Sequence, residues 1–123
     1  MIEGFVNANH EAVVSLVLRG PEGQTREVNA VIDTGYSGFL TLPAALVADL
    51  GLPYVFSSSA TLADDTEVGF SVHRAMVLWD GSPRNVEADA VGSTPLVGML
   101  LLDGHDLSVQ VRDGGRVIIQ AGE

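Results

Sequence analysis

Residues 30–38 decide the reading of this chain: Ala30, Val31 and Ile32 lead straight into Asp33, Thr34, Gly35, Tyr36, Ser37 and Gly38. Three successive apolar residues favour a buried strand, yet the strand delivers a carboxylate, a group that seldom sits at the end of an apolar run without partners. Burial disfavours a charge unless N–H groups or hydroxyls are aimed at it. Gly35 and Gly38 let the backbone fold tightly enough to aim such donors, and Thr34 and Ser37 add two hydroxyls. The stretch therefore predicts a core strand that ends in a polar loop built around one acid.

Upstream, Ala12–Leu18 reads as an almost wholly apolar strand, and the turn at Pro21, Glu22 and Gly23 joins it to a second strand over Thr25–Asp33. Downstream, a helix is expected from Pro43, with Leu42, Leu46, Val47 and Leu50 on one face and Gly51 and Pro53 as its stop. The polar stretch Phe56–Ala60 follows. Thr61–Trp79 then reads as a long hairpin with its tip at Ala63, Asp64, Asp65 and Thr66. Asp80-Gly81 and Ser82-Pro83 turn the chain into Arg84–Val91. Residues 95–104 read as a buried strand leading into a short helix, and Leu107–Val111 pairs across the turn at 113–115 with residues 116–120. No linker or low-complexity tract divides residues 1–123, so one mainly β domain with one or two short helices is expected, arranged as a barrel or a sandwich.

The chain's 123 residues suffice for one core, burying roughly two thirds of the unfolded surface. The 46% of hydrophobic residues are mostly aliphatic, since aromatics make up only 6%. A net charge of −10 with six basic residues argues against nucleic-acid binding, which needs Lys and Arg against phosphate. The absence of cysteine excludes disulfides and thiolate chemistry. The N-terminal stretch lacks the basic start of a signal peptide, and the apolar run from Pro95 to Leu102 is far short of the roughly 20 residues of a membrane helix. A cytoplasmic protein with no membrane or nucleic-acid partner and no cofactor is the expectation. His10, His73 and His105 share no metal-ligand spacing, and His105 reads as a residue of a solvated helix end or turn. Residues 35–38 do not form the G-x-S-x-G elbow of a serine hydrolase.

Over residues of about 25–112 the sequence resembles the retropepsin-like aspartic peptidases, in particular the bacterial single-domain type. The match rests on Val31-Ile32-Asp33-Thr34-Gly35-Tyr36-Ser37-Gly38, on a second motif at Leu96-Val97-Gly98-Met99, and on an intervening hairpin at 61–68 in the place of that family's flap. The resemblance implies a closed acid-protease β-barrel. It also implies Asp33, Thr34 and Gly35 as catalytic residues, Ser37, Gly38 and Gly98 as the supporting loop, and Ala63, Asp64 and Asp65 as the substrate-covering tip. The acid and arginine that viral members place after the two motifs are both missing here, and Asp65 stands where many members have glycine.

Peptide hydrolysis of this kind needs two carboxylates sharing a proton, and the sequence holds one Asp-Thr-Gly. The resemblance therefore implies a homodimer in which Asp33 of each copy meets on a two-fold axis. Thr34 would bond across the dimer, Ser37 would donate to Asp33, and an extended peptide or unfolded protein would be the substrate. The competing reading is a domain of the same fold that dimerises or binds peptides without turnover.

Overall fold

A computed structural model describes residues 1–122. Ten strands and two short helices follow in the order β1 (Ile2–Val6), β2 (Ala12–Arg19), β3 (Thr25–Ile32), β4 (Leu40–Leu42), α1 (Ala44–Asp49), β5 (Tyr54–Thr61), β6 (Glu67–Trp79), β7 (Ser82–Ala90), β8 (Leu96–Val97), α2 (Met99–Leu102), β9 (His105–Val109) and β10 (Arg116–Ala121). The sheet runs β5-β6-β7-β4-β8-β3-β2-β1-β10-β9, and a further pairing of β6 with β2 joins its middle into a ring. β2, β3, β8, β4, β7 and β6 thus form a closed barrel, which leaves no unpaired strand edge within the ring.

Alternation along the strands fills that barrel. Val14, Leu16 and Leu18 of β2, Ala30 of β3, Leu40 and Leu42 of β4, Ala75 and Val77 of β6, Ala88 of β7 and Val97 of β8 are at most 2% exposed and form one cluster. Because β-branched and aliphatic side chains pack well on a pleated surface, a core this poor in aromatics still closes. Trp79 is the large exception, buried at the end of β6.

β6 has two roles along its 13 residues. Its C-terminal part pairs with β2, Val17 opposite Leu78, whereas its N-terminal part pairs only with β5 at the hairpin end, from Ser58 opposite Phe70 to Thr61 opposite Glu67. Every residue of β5 is exposed, so this hairpin stands out from the barrel. The first arm of the hairpin is therefore Tyr54–Thr61, which includes the Phe56–Ala60 stretch expected to lie outside it. Serines on an arm with no buried face carry none of the apolar alternation that marks a strand. The paired backbone, not the side chains, makes it one.

Three further expectations are corrected. β1 precedes the strand read as first, pairing with β10 over Ile2–Phe5 and with β2 at Phe5 and Val6. A Cβ on Gly4 would strike the Val13 carbonyl oxygen, so glycine lets these two backbones approach. The helix is confined to Ala44–Asp49, and Leu42 belongs to β4, where it is 0% exposed. Strand and helix periodicities coincide over Leu40–Leu46, and parallel pairing of β4 with β7 resolves them in favour of the strand. His105 opens β9 and does not lie in a solvated turn. It packs edge-on against Trp79 with ring centroids 5.6 Å apart and accepts the indole N–H at 3.2 Å. The Asp80-Gly81 turn does behave as read: both residues have positive φ, at 51° and 82°, as a two-residue type I′ hairpin requires.

Leu42→Ala should cost about 2–5 kcal/mol, the range for emptying a fully buried leucine site, and urea denaturation followed by circular dichroism measures it.

Candidate active site

The end of β3 and the Asp33 loop are held by backbone hydrogen bonds. β3 runs parallel to β8, with Val31 opposite Leu96 and Ile32 opposite Val97. The Asp33 N–H then donates to the Val97 carbonyl at 2.9 Å, which extends the ladder by one residue and fixes where the carboxylate emerges. The chain turns at once, with Tyr36 N–H donating to the Asp33 carbonyl at 3.1 Å. The segment after β8 closes on this loop from the other side: Gly98, Met99 and Leu100 donate to the carbonyls of Phe39, Tyr36 and Gly38 at 3.0, 2.8 and 3.1 Å.

The three loop glycines have different grounds. A Cβ on Gly98 would collide with the Gly38 carbonyl oxygen and lie 2.7 Å from the Tyr36 ring, and one on Gly38 would lie 2.6 Å from that ring. Gly98 must be glycine for the two segments to touch, and Gly38 makes room for the Tyr36 ring within its own loop. A Cβ on Gly35 would meet only Asp33 Oδ1, at an ordinary 3.4 Å. Nothing within the chain requires glycine at 35, where the backbone is exposed and the missing side chain leaves the carboxylate approachable from outside.

Asp33 itself is half-buried, and its Oδ1 accepts the Gly35 N–H at 3.0 Å. That donor replaces the one expected: Ser37 is exposed, and the amide two residues on, in the geometry of an Asx turn, supplies the bond instead. Thr34 is exposed, and beside it lies a groove of about 270 Å³ lined by Met99, Leu102, Asp103, Gly104, His105 and Leu107. Met99 and Leu100 are 47% and 46% exposed, so the rim next to Asp33 is apolar.

The hairpin tip is ordered by its own side chains. Leu62 N–H donates to Thr66 O at 2.8 Å and Asp65 N–H to Leu62 O at 3.0 Å. Bonds from the Thr66 side chain and from its backbone N–H, the latter at 3.0 Å, hold the Asp64 carboxyl below its ordinary 3.8. Asp65 has φ of 66°, the left-handed conformation that glycine usually supplies and that Asp tolerates better than most residues. The missing glycine at the tip is thereby accounted for. Ala63, Asp64 and Asp65 are all exposed, and none has a side-chain bond to Asp33.

Two residues not singled out from the sequence complete the site. The Tyr36 hydroxyl lies 2.7 Å from Asp89 Oδ2 and 2.9 Å from the Leu40 carbonyl oxygen, so it ties the Asp33 loop to β7 and β4. Burial pushes this phenol well above its ordinary 10.0. The Thr41 side chain pulls it down, and the Asp89 and Glu87 carboxylates add to the rise. Asp89 sits in β7, 53 residues from its partner, and only a parallel pairing of β7 with β4 brings them together. The one available signal was an acid between two alanines near the end of an alternating strand.

Two tests of the loop follow. Gly98→Ala should lose about 1–3 kcal/mol by overpacking, whereas Gly35→Ala should leave urea stability within about 0.5 kcal/mol of the parent. Tyr36→Phe tests the phenol by its pH dependence. The unfolded chain ionises Tyr36 near its ordinary 10.0 while the folded chain keeps it neutral, so the hydroxyl's stabilisation is complete below that pH and is lost as pH rises above it. The melting-temperature gap between parent and Tyr36→Phe should therefore be constant from pH 7 to about 9 and shrink beyond about 10. A gap that widened in alkali would contradict this.

No protein-family model and no curated protein matches the chain. Its structure is similar to the crystal structure of a retropepsin-like aspartic protease from Rickettsia conorii, with a TM-score of 0.61 at 14% identity, covering 99% of this chain and 91% of that one. At that identity the likeness is one of fold: the chain adopts the retropepsin-like closed barrel expected from its two glycine motifs.

Proposed function

We propose that this chain is one half of an aspartic endopeptidase, active as a homodimer in which two Asp33 carboxylates activate a water for attack on a peptide bond. The observation that carries the reading is the Asp33 loop. A carboxylate emerges from a core strand, is held by its own Gly35 amide, and is clamped from behind by the Gly98 segment while its front stays open. The similarity in fold to a protein described as an aspartic protease supports the same class of chemistry.

The dyad follows from the charge arithmetic. Two carboxylates about 3 Å apart cannot both ionise, so the pair retains one proton. The ionised member takes a proton from water, while the protonated one donates to the scissile carbonyl. One Asp-Thr-Gly per chain makes a two-fold axis at Asp33 the economical source of the second carboxylate. The exposed Met99 and Leu100 and the groove beside Thr34 offer apolar surface for the partner copy, and Thr34 would bond across the axis. The β5–β6 hairpin would close over an extended peptide or unfolded segment and exclude water from the carboxylates.

Asp33→Asn should keep the parent's fold and dimer mass by light scattering while cleavage of denatured casein falls to background. Gly35→Ala should likewise fold and lose activity, because its new methyl occupies the approach to Asp33. Activity per chain should fall on dilution through the dimer dissociation constant. Unaltered turnover by Asp33→Asn would refute the mechanism. Binding of a transition-state inhibitor of aspartic peptidases with no cleavage by the parent would mark instead a peptide-binding module of the same fold.

A further inference from the structure

Between the hairpin and the barrel lies a cavity of about 380 Å³, next to the candidate catalytic loop. Ala60 and Phe70 reach it from the two arms of the hairpin, Val91 and Leu96 form its apolar wall, and Tyr36 and Asp89 lie on its barrel side. Thr41, Ser93 and Thr94 also line it, and Asp89 is half-buried there; the part of a charge taken from water costs free energy unless a cation or several donors face it. Asp89 has a single side-chain bond, from Tyr36 to Oδ2, and the three ion pairs among the described residues involve Asp80, Asp49 and Glu3. Oδ1 accepts no side-chain hydrogen bond among the described residues, and the carboxylate meets no Arg or His.

We propose that this cavity is a side-chain subsite selective for lysine or arginine in an extended peptide, with Asp89 as the residue that determines the preference. The aliphatic stem of such a side chain suits Phe70, Val91 and Leu96, and its charged end suits the carboxylate, the division of surface that long basic side chains favour. Tyr36 holds one carboxylate oxygen in place and leaves the other for the ligand. Lining from both the hairpin and the barrel means that closure of the hairpin completes the subsite, so side-chain recognition and covering of the peptide are coupled. The inference rests on the peptidase reading for its substrate, but the pocket's chemistry can be tested without turnover.

Binding is read first. Nα-acetyl-lysine methylamide and Nα-acetyl-norleucine methylamide, which differ only at the end of the side chain, are titrated into the full chain while the Val91 and Leu96 amides are followed by NMR. The lysine probe should bind at least about tenfold more tightly, the lower end of what a hydrogen bond to a charged group contributes. That ratio should approach one in Asp89→Asn, and a ratio within each protein cancels any general loss of affinity. Should Asp89→Asn fail to fold, the parent's own ratio must fall with rising salt. Equal affinities, or a ratio insensitive both to salt and to Asp89→Asn, would overturn the proposal. Cleavage sites in denatured casein, mapped by mass spectrometry, separate the two readings. Lysine or arginine enriched at one fixed position from the cut bond supports both. Cutting with no such enrichment removes the subsite and keeps the peptidase. A parent that cuts nothing while still preferring the lysine probe removes the peptidase and keeps the subsite.

Discussion

The structure depends on one close approach: the backbone of Gly98 against the backbone of Gly38, under the ring of Tyr36. No side chain fits between them, and without that contact the amides of residues 98, 99 and 100 could not reach the carbonyls of Phe39, Tyr36 and Gly38. Those bonds join the loop after β3 to the segment after β8, about 60 residues apart in sequence. They hold the loop that carries Asp33 against the segment after β8. Backbone contacts of this kind tolerate many side chains nearby but no Cβ at the contact itself.

The closed barrel gives that loop a rigid support and the hairpin a flexible one. β4 is only three residues long, yet it is flanked by β7 and β8 and wholly buried, so the ring is tight where the site is built. β6 is continuous from the barrel wall to the hairpin, and the exposed arm of β5 is held at the hairpin end by that strand alone. Few buried contacts oppose its bending, whereas the barrel beneath it would lose core packing with any comparable movement. The hairpin is thus the element with the least packing to oppose its movement.

Tyr36 links these features. Its ring fills the space that Gly38 and Gly98 leave, its hydroxyl reaches Leu40 and Asp89, and its face borders the cavity under the hairpin. A single residue of the Asp33 loop thereby carries packing, positioning and access to the neighbouring pocket. Its phenol stays neutral because burial opposes ionisation and Asp89 would repel a phenolate. The pairing of a neutral donor with a lone carboxylate keeps one Asp89 oxygen oriented without neutralising its charge.

Local chemistry made much of this legible in the sequence. Apolar runs marked β2 and the end of β3; Asp80-Gly81 marked a turn; and the lead-in to Asp33, followed by the glycines at 35, 38 and 98, marked the loop and its clamp. These signals are local because each rests on side-chain burial or on a conformation that few residues adopt. The exposed arm Tyr54–Thr61 was not legible as a strand, since a strand with no buried face has no pattern. Leu42 was read as helical because a short strand running into a helix offers both periods at once. Asp33 takes its bond from the Gly35 amide and not from the exposed Ser37 hydroxyl, a choice made by the path of the loop backbone. Asp89 and its pocket needed the tertiary structure altogether: parallel pairing of β4 with β7 depends on ring closure, and a ring is decided by all its strands together. Side-chain patterning and turn chemistry were enough for most strands, the turns and the acid-bearing loop; what faces that loop emerged only in three dimensions, because contacts between distant segments follow from how the barrel closes.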